Sequence, residues 1–286
     1  MLKRMRASDT GNLQTYLESR TEEIDSEIIV RVSAILQDVK TRRDDAVREY
    51  TQQFDGILLD SMRVEPSDIE VAAAKADPFF VESMKKAKAN IEYYHNAQKQ
   101  NGYLLQKELG IYLGQRVLPL DSVGIYVPGG RAQYPSSVLM NAIPARIAGV
   151  KRIVMITPPA KDGSLHPNIA AAAQIAGVDE IYKVGGAQGI AALAYGTQSI
   201  APVDKIVGPG NVYVAAAKKL VFGKVDIDMI AGPSEILVIA DADAPAKSVE
   251  DMGLSKVAQA PAHKGKALRR ICCHRQSMIR WRVPFW

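Results

Sequence analysis

The chain has 286 residues, 47% of them hydrophobic, enough to bury the core of one large domain or two ordinary ones. No run of eighteen apolar residues occurs, which excludes a membrane-spanning helix. The opening MLKRMRASDTGNLQTYLESR lacks the apolar stretch of a secretory signal, so a soluble cytoplasmic protein with no membrane partner is expected. The net charge of +5 is unevenly placed. Residues 251–286 carry eight Lys/Arg and one acid, leaving 28 Lys/Arg against 30 Asp/Glu over residues 1–250. A basic tail can attract nucleic acid through its phosphates, but the near-neutral body leads us to expect no nucleic-acid partner. The only cysteines, Cys272 and Cys273, are adjacent and imply no disulfide framework. With His274 they still lack a fourth ligand at motif spacing, so no metal site is read there.

Taken in chain order, apolar positions at helical spacing run from Ile24 through Ile28, Ile29, Val32, Ile35, Leu36, Val39 and Val47 to Tyr50. Asp44 and Asp45 interrupt them and suit the start of a second helix, which Gly56 would terminate. Pro66-Ser67-Asp68 opens another helical region, with Ser67 as the expected cap and a break near Pro78. From Tyr103 to Val127 the alternation favours strands, with Gly110 and Gly114 as turns.

A regular rhythm follows: helix 137–148, strand 152–157, helix 167–176, strand 180–184, helix 187–195, strand 205–207, helix 212–222 and strand 235–240. Alternation at this spacing predicts crossover units, a parallel sheet and an α/β fold.

Four glycine-rich turns punctuate this stretch: GIYVPGG, VGGAQG, VGPGN and AGPSE. Glycines between a strand and a helix let backbone approach a ligand, and the helix N-terminus offers free N–H groups to phosphate. Val184–Gly189 and Val207–Asn211 both fit that geometry, although neither is the G-x-G-x-x-G fingerprint. Tyr126 reads either as core or as a stacking or hydrogen-bonding residue at a pocket mouth. Gln188 and Asn211 read either as helix caps or as readers of a cofactor's polar groups, and Ser234 as a cap or a substrate contact. The histidines, His95, His166, His263 and His274, are scattered, with no acid and nucleophile at a recognisable spacing; His95 is expected at the surface. The residues by themselves thus point to a nucleotide-binding α/β protein of undefined reaction.

Five stretches carry a resemblance. PLDSVGIYVPGGRAQYPSSVLMNAIPARIAGVKRIVMITPP, VGGAQGIAALAYGT, VDKIVGPGNVYVAAAKKLVFG, VDIDMIAGPSEILVIADADA and the earlier VSAILQDVKTRRDDAVREYTQQFDG occur in the order found in histidinol dehydrogenases. Over roughly residues 20–245 the chain resembles that family. One departure is Arg43, where the family usually has glycine before the aspartate.

The resemblance implies Rossmann-like halves in a zinc-dependent homodimer. It also implies oxidation of L-histidinol to L-histidine by two NAD-dependent hydride transfers in histidine biosynthesis. It places NAD-contacting residues on Tyr126, Gln188 and Asn211 and a substrate contact on Ser234. Parallel sheets with flanking helices, incomplete at the C-terminus, are therefore expected. Residues 22–125 with 236–250 would form a first α/β domain, and residues 1–21 with 126–235 a second, Rossmann-like one. Residues 251–286 would be an aberrant tail without stable structure.

The tail departs from the family. There, a helix reading D-L-L-S-Q-A-E-H-D supplies a Gln and a His to zinc. Here Gln259 and His263 are one residue too far apart and flank Pro261, so they are not read as ligands. ICCHRQSMI (residues 271–279), with codons chosen among its synonyms and regrouped by one base, yields D-L-L-S-Q-A-E-H-D. The final Asp is forced by the methionine codon. Residues 280–286 permit a family-like continuation in the same frame. We therefore expect a frameshifted translation, with neither the zinc ligands nor the general base in this chain, and hence no activity.

Overall fold

The computed structural model describes residue 11 and residues 24–129 and 133–230. Residues 24–230 form one compact unit. Among the described residues no helix is long and apolar enough to cross a membrane.

The first helical stretch forms α1 (Ser26–Arg42) and α2 (Asp44–Asp55), joined through Arg43 alone. Asp25 caps α1 by accepting from the Glu27 N–H at 2.8 Å, and Gly56 ends α2 in the left-handed conformation, as its position suggested. Arg43 is the one described non-glycine residue at positive φ (55°). Its ψ of −122° lies outside the small left-handed basin that side chains tolerate. A glycine would adopt this joint without strain. Arg43→Gly is therefore expected to raise the melting temperature by about 2–4 °C, as a thermal melt would show.

Next come α3 (Pro66–Ala73) and α4 (Pro78–Asn96). Ser67 is not the cap of α3: Glu65 occupies that position, with Pro66 first in the helix, where its missing N–H leaves no bond unmade. Asp77 caps α4 by accepting from the N–H groups of Phe79 and Phe80. His95, near the end of α4, is half-buried and bonds Gln98 at 2.7 Å.

The expected strands resolve into an antiparallel hairpin, β1 (Tyr103–Glu108) with β2 (Ile111–Gln115), followed by β3 (Ser122–Tyr126). Gly114 lies within β2 rather than at a turn, where a Cβ would meet the Tyr103 carbonyl oxygen at 2.6 Å. Close strand approach, not chain reversal, is what that glycine permits.

After β3 the chain alternates through α5 (Pro135–Ala148), β4 (Arg152–Ile156), α6 (Pro167–Ala176), β5 (Glu180–Tyr182), α7 (Gly186–Tyr195), β6 (Lys205–Val207), α8 (Val212–Val221) and β7 (Asp226–Ile227). The five strands β3–β7 form one parallel sheet in the order β5-β4-β3-β6-β7. The chain is α/β, with helices on both faces of the sheet.

Alternation along the strands divides the core. Val123, Ile125, Ile153 and Met155 pack with Leu139 and Ile143 of α5 and Ile169 of α6. Tyr126, Val154, Ile156 and Ile206 face the other way, onto Ile190 and Leu193 of α7, Val214 and Val221 of α8, and the Val32–Val39 stripe of α1. These side chains are almost fully buried, each worth about 1.5–3 kcal/mol against exposure. Residues 62–64 run antiparallel along the free edge of β5, where Lys183 N–H donates to the Met62 carbonyl and Val64 N–H to the Ile181 carbonyl. The sheet edge is thereby paired, and residues 55–61 are led past the carboxyl end of β5.

The division anticipated between residues 125 and 126 falls inside β3, both of whose sheet neighbours belong to the same compact unit. Residues 1–10, 12–23 and 231–250 of the anticipated domains, and the tail 251–286, lie outside the described residues.

Candidate dinucleotide site

From β3 the sheet is built outward in one direction by β4 and β5 and in the other by β6 and β7. The connections leaving the carboxyl ends of β3 and β6 must diverge, and in open parallel sheets ligands occupy the crevice this leaves. Tyr126 ends β3, and the VGPGN turn leaves β6.

Tyr126 belongs to the core, and its hydroxyl reaches the turn that opens α7. Its ring is 3% exposed, and its hydroxyl accepts the Gly186 N–H at 3.3 Å. Burial pushes the phenol up to about 12, with the Asp55 charge acting in the same direction. At neutral pH it is an un-ionised O–H that can donate to a ligand.

Gln188 does not cap α7, whose cap position is Gly185. It is 1% exposed, and neither its amide oxygen nor its amide nitrogen has a hydrogen-bond partner. Leaving such groups unmade costs about 1–3 kcal/mol each, so an orphaned buried amide in a native site calls for a partner. Gly186, at φ +61°, makes room for it: a Cβ there would collide with the Gln188 amide oxygen. Gly185 lies as tightly against Pro158, with a Cβ contact of 2.6 Å to Cγ.

Asn211 fulfils the capping alternative. Its Oδ1 accepts the Val214 N–H at 3.1 Å, and the residue is exposed at the mouth of the crevice. The structure thus brings Tyr126 and Gln188 together around Gly186 and puts Asn211 on the neighbouring turn. Ser234 lies outside the described residues, as do Gln259, His263, Cys272, Cys273 and His274.

Two further residues hold the VGPGN turn. Lys218 on α8, 3% exposed, donates to the Gly208 carbonyl at 3.0 Å and pairs with Asp228. Asp228 accepts the Gly208 N–H at 2.8 Å. Both polar groups of one glycine are thus fixed by a mostly buried ion pair. Gly208 itself has φ +113°, and a Cβ would drive into the Tyr126 carbonyl oxygen, so β3 and the turn touch through bare backbone. A sequence signal for Lys218 existed: it continues the buried stripe of Val214 and Val221 at helical spacing, whereas Lys219 points out.

Asp55, at the end of α2, was also not singled out by sequence. Its Oδ2 is buried without a partner, and burial raises its pKa above the ordinary carboxylate range.

The arrangement offers neutral hydrogen-bonding side chains and two helix N-termini, α7 and α8, behind glycine turns. That suits a ligand with phosphates and hydroxyls. Among the described residues, no group of three or more His, Cys, Asp or Glu side chains is placed to hold a metal ion.

The histidinol dehydrogenase family model matches residues 18–262. Histidinol dehydrogenase of Listeria innocua is 58% identical over 236 residues, covering 81% of this chain and 55% of the relative. That of Methanothermobacter thermautotrophicus is 48% identical over 260 residues, covering 91% and 60%. The crystal structure of histidinol dehydrogenase from Elizabethkingia anophelis superposes with a TM-score of 0.75 at 39% identity, covering 83% of this chain and 55% of that one. The chain spans little more than half the length of these relatives. With a matching family model, close relatives and a shared fold around the switch-point crevice, this chain belongs to the histidinol dehydrogenase family.

Proposed function

We propose that residues 24–230 form the dinucleotide-binding part of a histidinol dehydrogenase, an oxidoreductase of histidine biosynthesis that converts L-histidinol to L-histidine with NAD. The observation that carries this reading is the buried, unpartnered Gln188 amide beside the Tyr126 hydroxyl, at the point where the strand order reverses. NAD fits these residues. Gln188 can donate to and accept from a carboxamide or hydroxyl, Tyr126 can donate, and the N-termini of α7 and α8 offer free N–H groups to a pyrophosphate. When bound, NAD supplies the hydride acceptor. The chain's own residues orient it: Lys218 and Asp228 fix the turn that leaves β6.

The whole reaction also needs zinc and a general base, and here the tail matters. Residues 271–279 do not read as the family's ligand-bearing helix in this frame but do permit it one base away. We therefore take this chain to be a cofactor-binding, cytoplasmic form without turnover. The homodimer of the family is not assumed for it.

The test is Gln188→Met, which keeps the length and removes both polar groups. NADH affinity, read by fluorescence titration, is expected to fall about tenfold, with the melting temperature unchanged or raised because an unsatisfied amide leaves the core. Unaltered NADH binding would contradict the reading.

A further inference from the structure

Asp55 enters no step described so far, yet it sits beside the crevice. Residues 62–64 are locked antiparallel to β5, so the chain before them, back to Asp55, lies beyond the carboxyl ends of the strands. Ile57 and Leu59 of this stretch pack on Gly163, in the connection leaving β4. At its start, the Oδ2 of Asp55 is withdrawn from solvent with no donor pointing at it, and the carboxylate acts electrostatically on Tyr126. Two side chains facing this end of the sheet, Asp55 and Gln188, thus hold all the buried, unpartnered side-chain polar atoms among the described residues.

The chemistry of the missing partner follows. A carboxylate only accepts and carries negative charge, so it repels phosphate and suits a neutral donor. A ribose hydroxyl is such a donor. The half of the crevice over β3, β4 and β5 is the first mononucleotide half of a sheet with this strand order, where an acidic residue reads the adenosine ribose of NAD. In the usual fingerprint that residue follows the second strand. Here β4 is followed by Thr157-Pro158-Pro159, and the first acid after it, Asp162, is exposed and accepts from Ser164. Resting on the cofactor reading above, we infer that Asp55 accepts the 2′-hydroxyl of the adenosine ribose, selecting NAD against its 2′-phosphorylated form. α2 therefore contributes to a site otherwise built from the sheet.

Asp55→Asn tests this, with NADH and NADPH as fluorescent probes of the full chain. Wild type is expected to bind NADH and to bind NADPH more weakly. The variant should lose about tenfold or more in NADH affinity, as loss of a charged hydrogen bond implies, while NADPH binds equally well or better. Its melting temperature should hold or rise, since an amide replaces a poorly solvated charge. Equal NADH binding by variant and wild type overturns the role of Asp55 and leaves the cofactor reading standing. Equal losses for both probes, or a variant that fails to fold, also overturn it. A wild type that binds neither probe overturns the cofactor reading itself.

Discussion

Lys218→Met should destabilise the protein by about 3–5 kcal/mol, the usual effect of removing one partner of a buried ion pair. The lysine is 3% exposed and the Asp228 side chain 13%. Without the ammonium, Asp228 keeps its charge in a poorly solvated place, and the Gly208 carbonyl loses its donor. Against a total stability of about 5–15 kcal/mol, that is a large fraction. The double variant Lys218→Met with Asp228→Leu should recover part of the loss but not all, because the Gly208 N–H then lacks its acceptor. Urea denaturation of the three proteins measures this. A single variant within about 1 kcal/mol of wild type would mean that the pair does not hold the turn.

The second large effect is on turnover. Mixed with histidinol, NAD and zinc, the chain is expected to produce NADH no faster than a protein-free control. Zinc affinity comes from a full set of ligands held together. In the reading proposed above, the ligand-bearing helix is written one base out of frame over residues 271–279, so this chain would lack those ligands. Shifting the coding sequence by one base, so that D-L-L-S-Q-A-E-H-D is translated, is the matching change at the nucleotide level. Measurable NADH from the unshifted chain would contradict the account, as would coding bases that cannot be regrouped in that way.

The parallel sheet was legible because each strand between β3 and β6 is a short apolar run bracketed by helices with Gly or Pro at their ends. The strands at 152 and 205 and the helices at 167 and 212 start where expected. β5 is shorter than its apolar run because after Tyr182 the chain turns toward Gly185 and α7. In the hairpin the alternation indicated strands, and both strands are exposed along their whole length. Alternation gives a strand's period, not whether anything covers it.

Tyr126, Gln188 and Asn211 were candidates from their place at the glycine turns, resemblance gave them a cofactor role, and geometry separated them. Asn211 caps a helix, while Gln188 is buried without a partner. Lys218 was legible in the helical stripe of Val214 and Val221, whereas Asp55 draws its meaning from distant contacts. Asp55 is more than seventy positions from Tyr126 in sequence, a separation that no local pattern encodes. Arg43 shows the converse: a departure from the family's glycine, visible in the sequence, acquires its physical meaning only from the positive φ at that joint.

The central claim is that the dinucleotide lies at the carboxyl ends of β3 and β6. A cavity of about 410 Å³ opens at the opposite end of the sheet, lined by Pro202, Val203, Asp204 and Phe222–Asp226, and provides the alternative. A crystal structure of the chain grown with NAD decides between them. The account predicts nucleotide density over Tyr126, Gln188 and the Gly208–Asn211 turn. Density in the Pro202–Phe222 cavity, with the Gln188 amide still unpartnered, would contradict it.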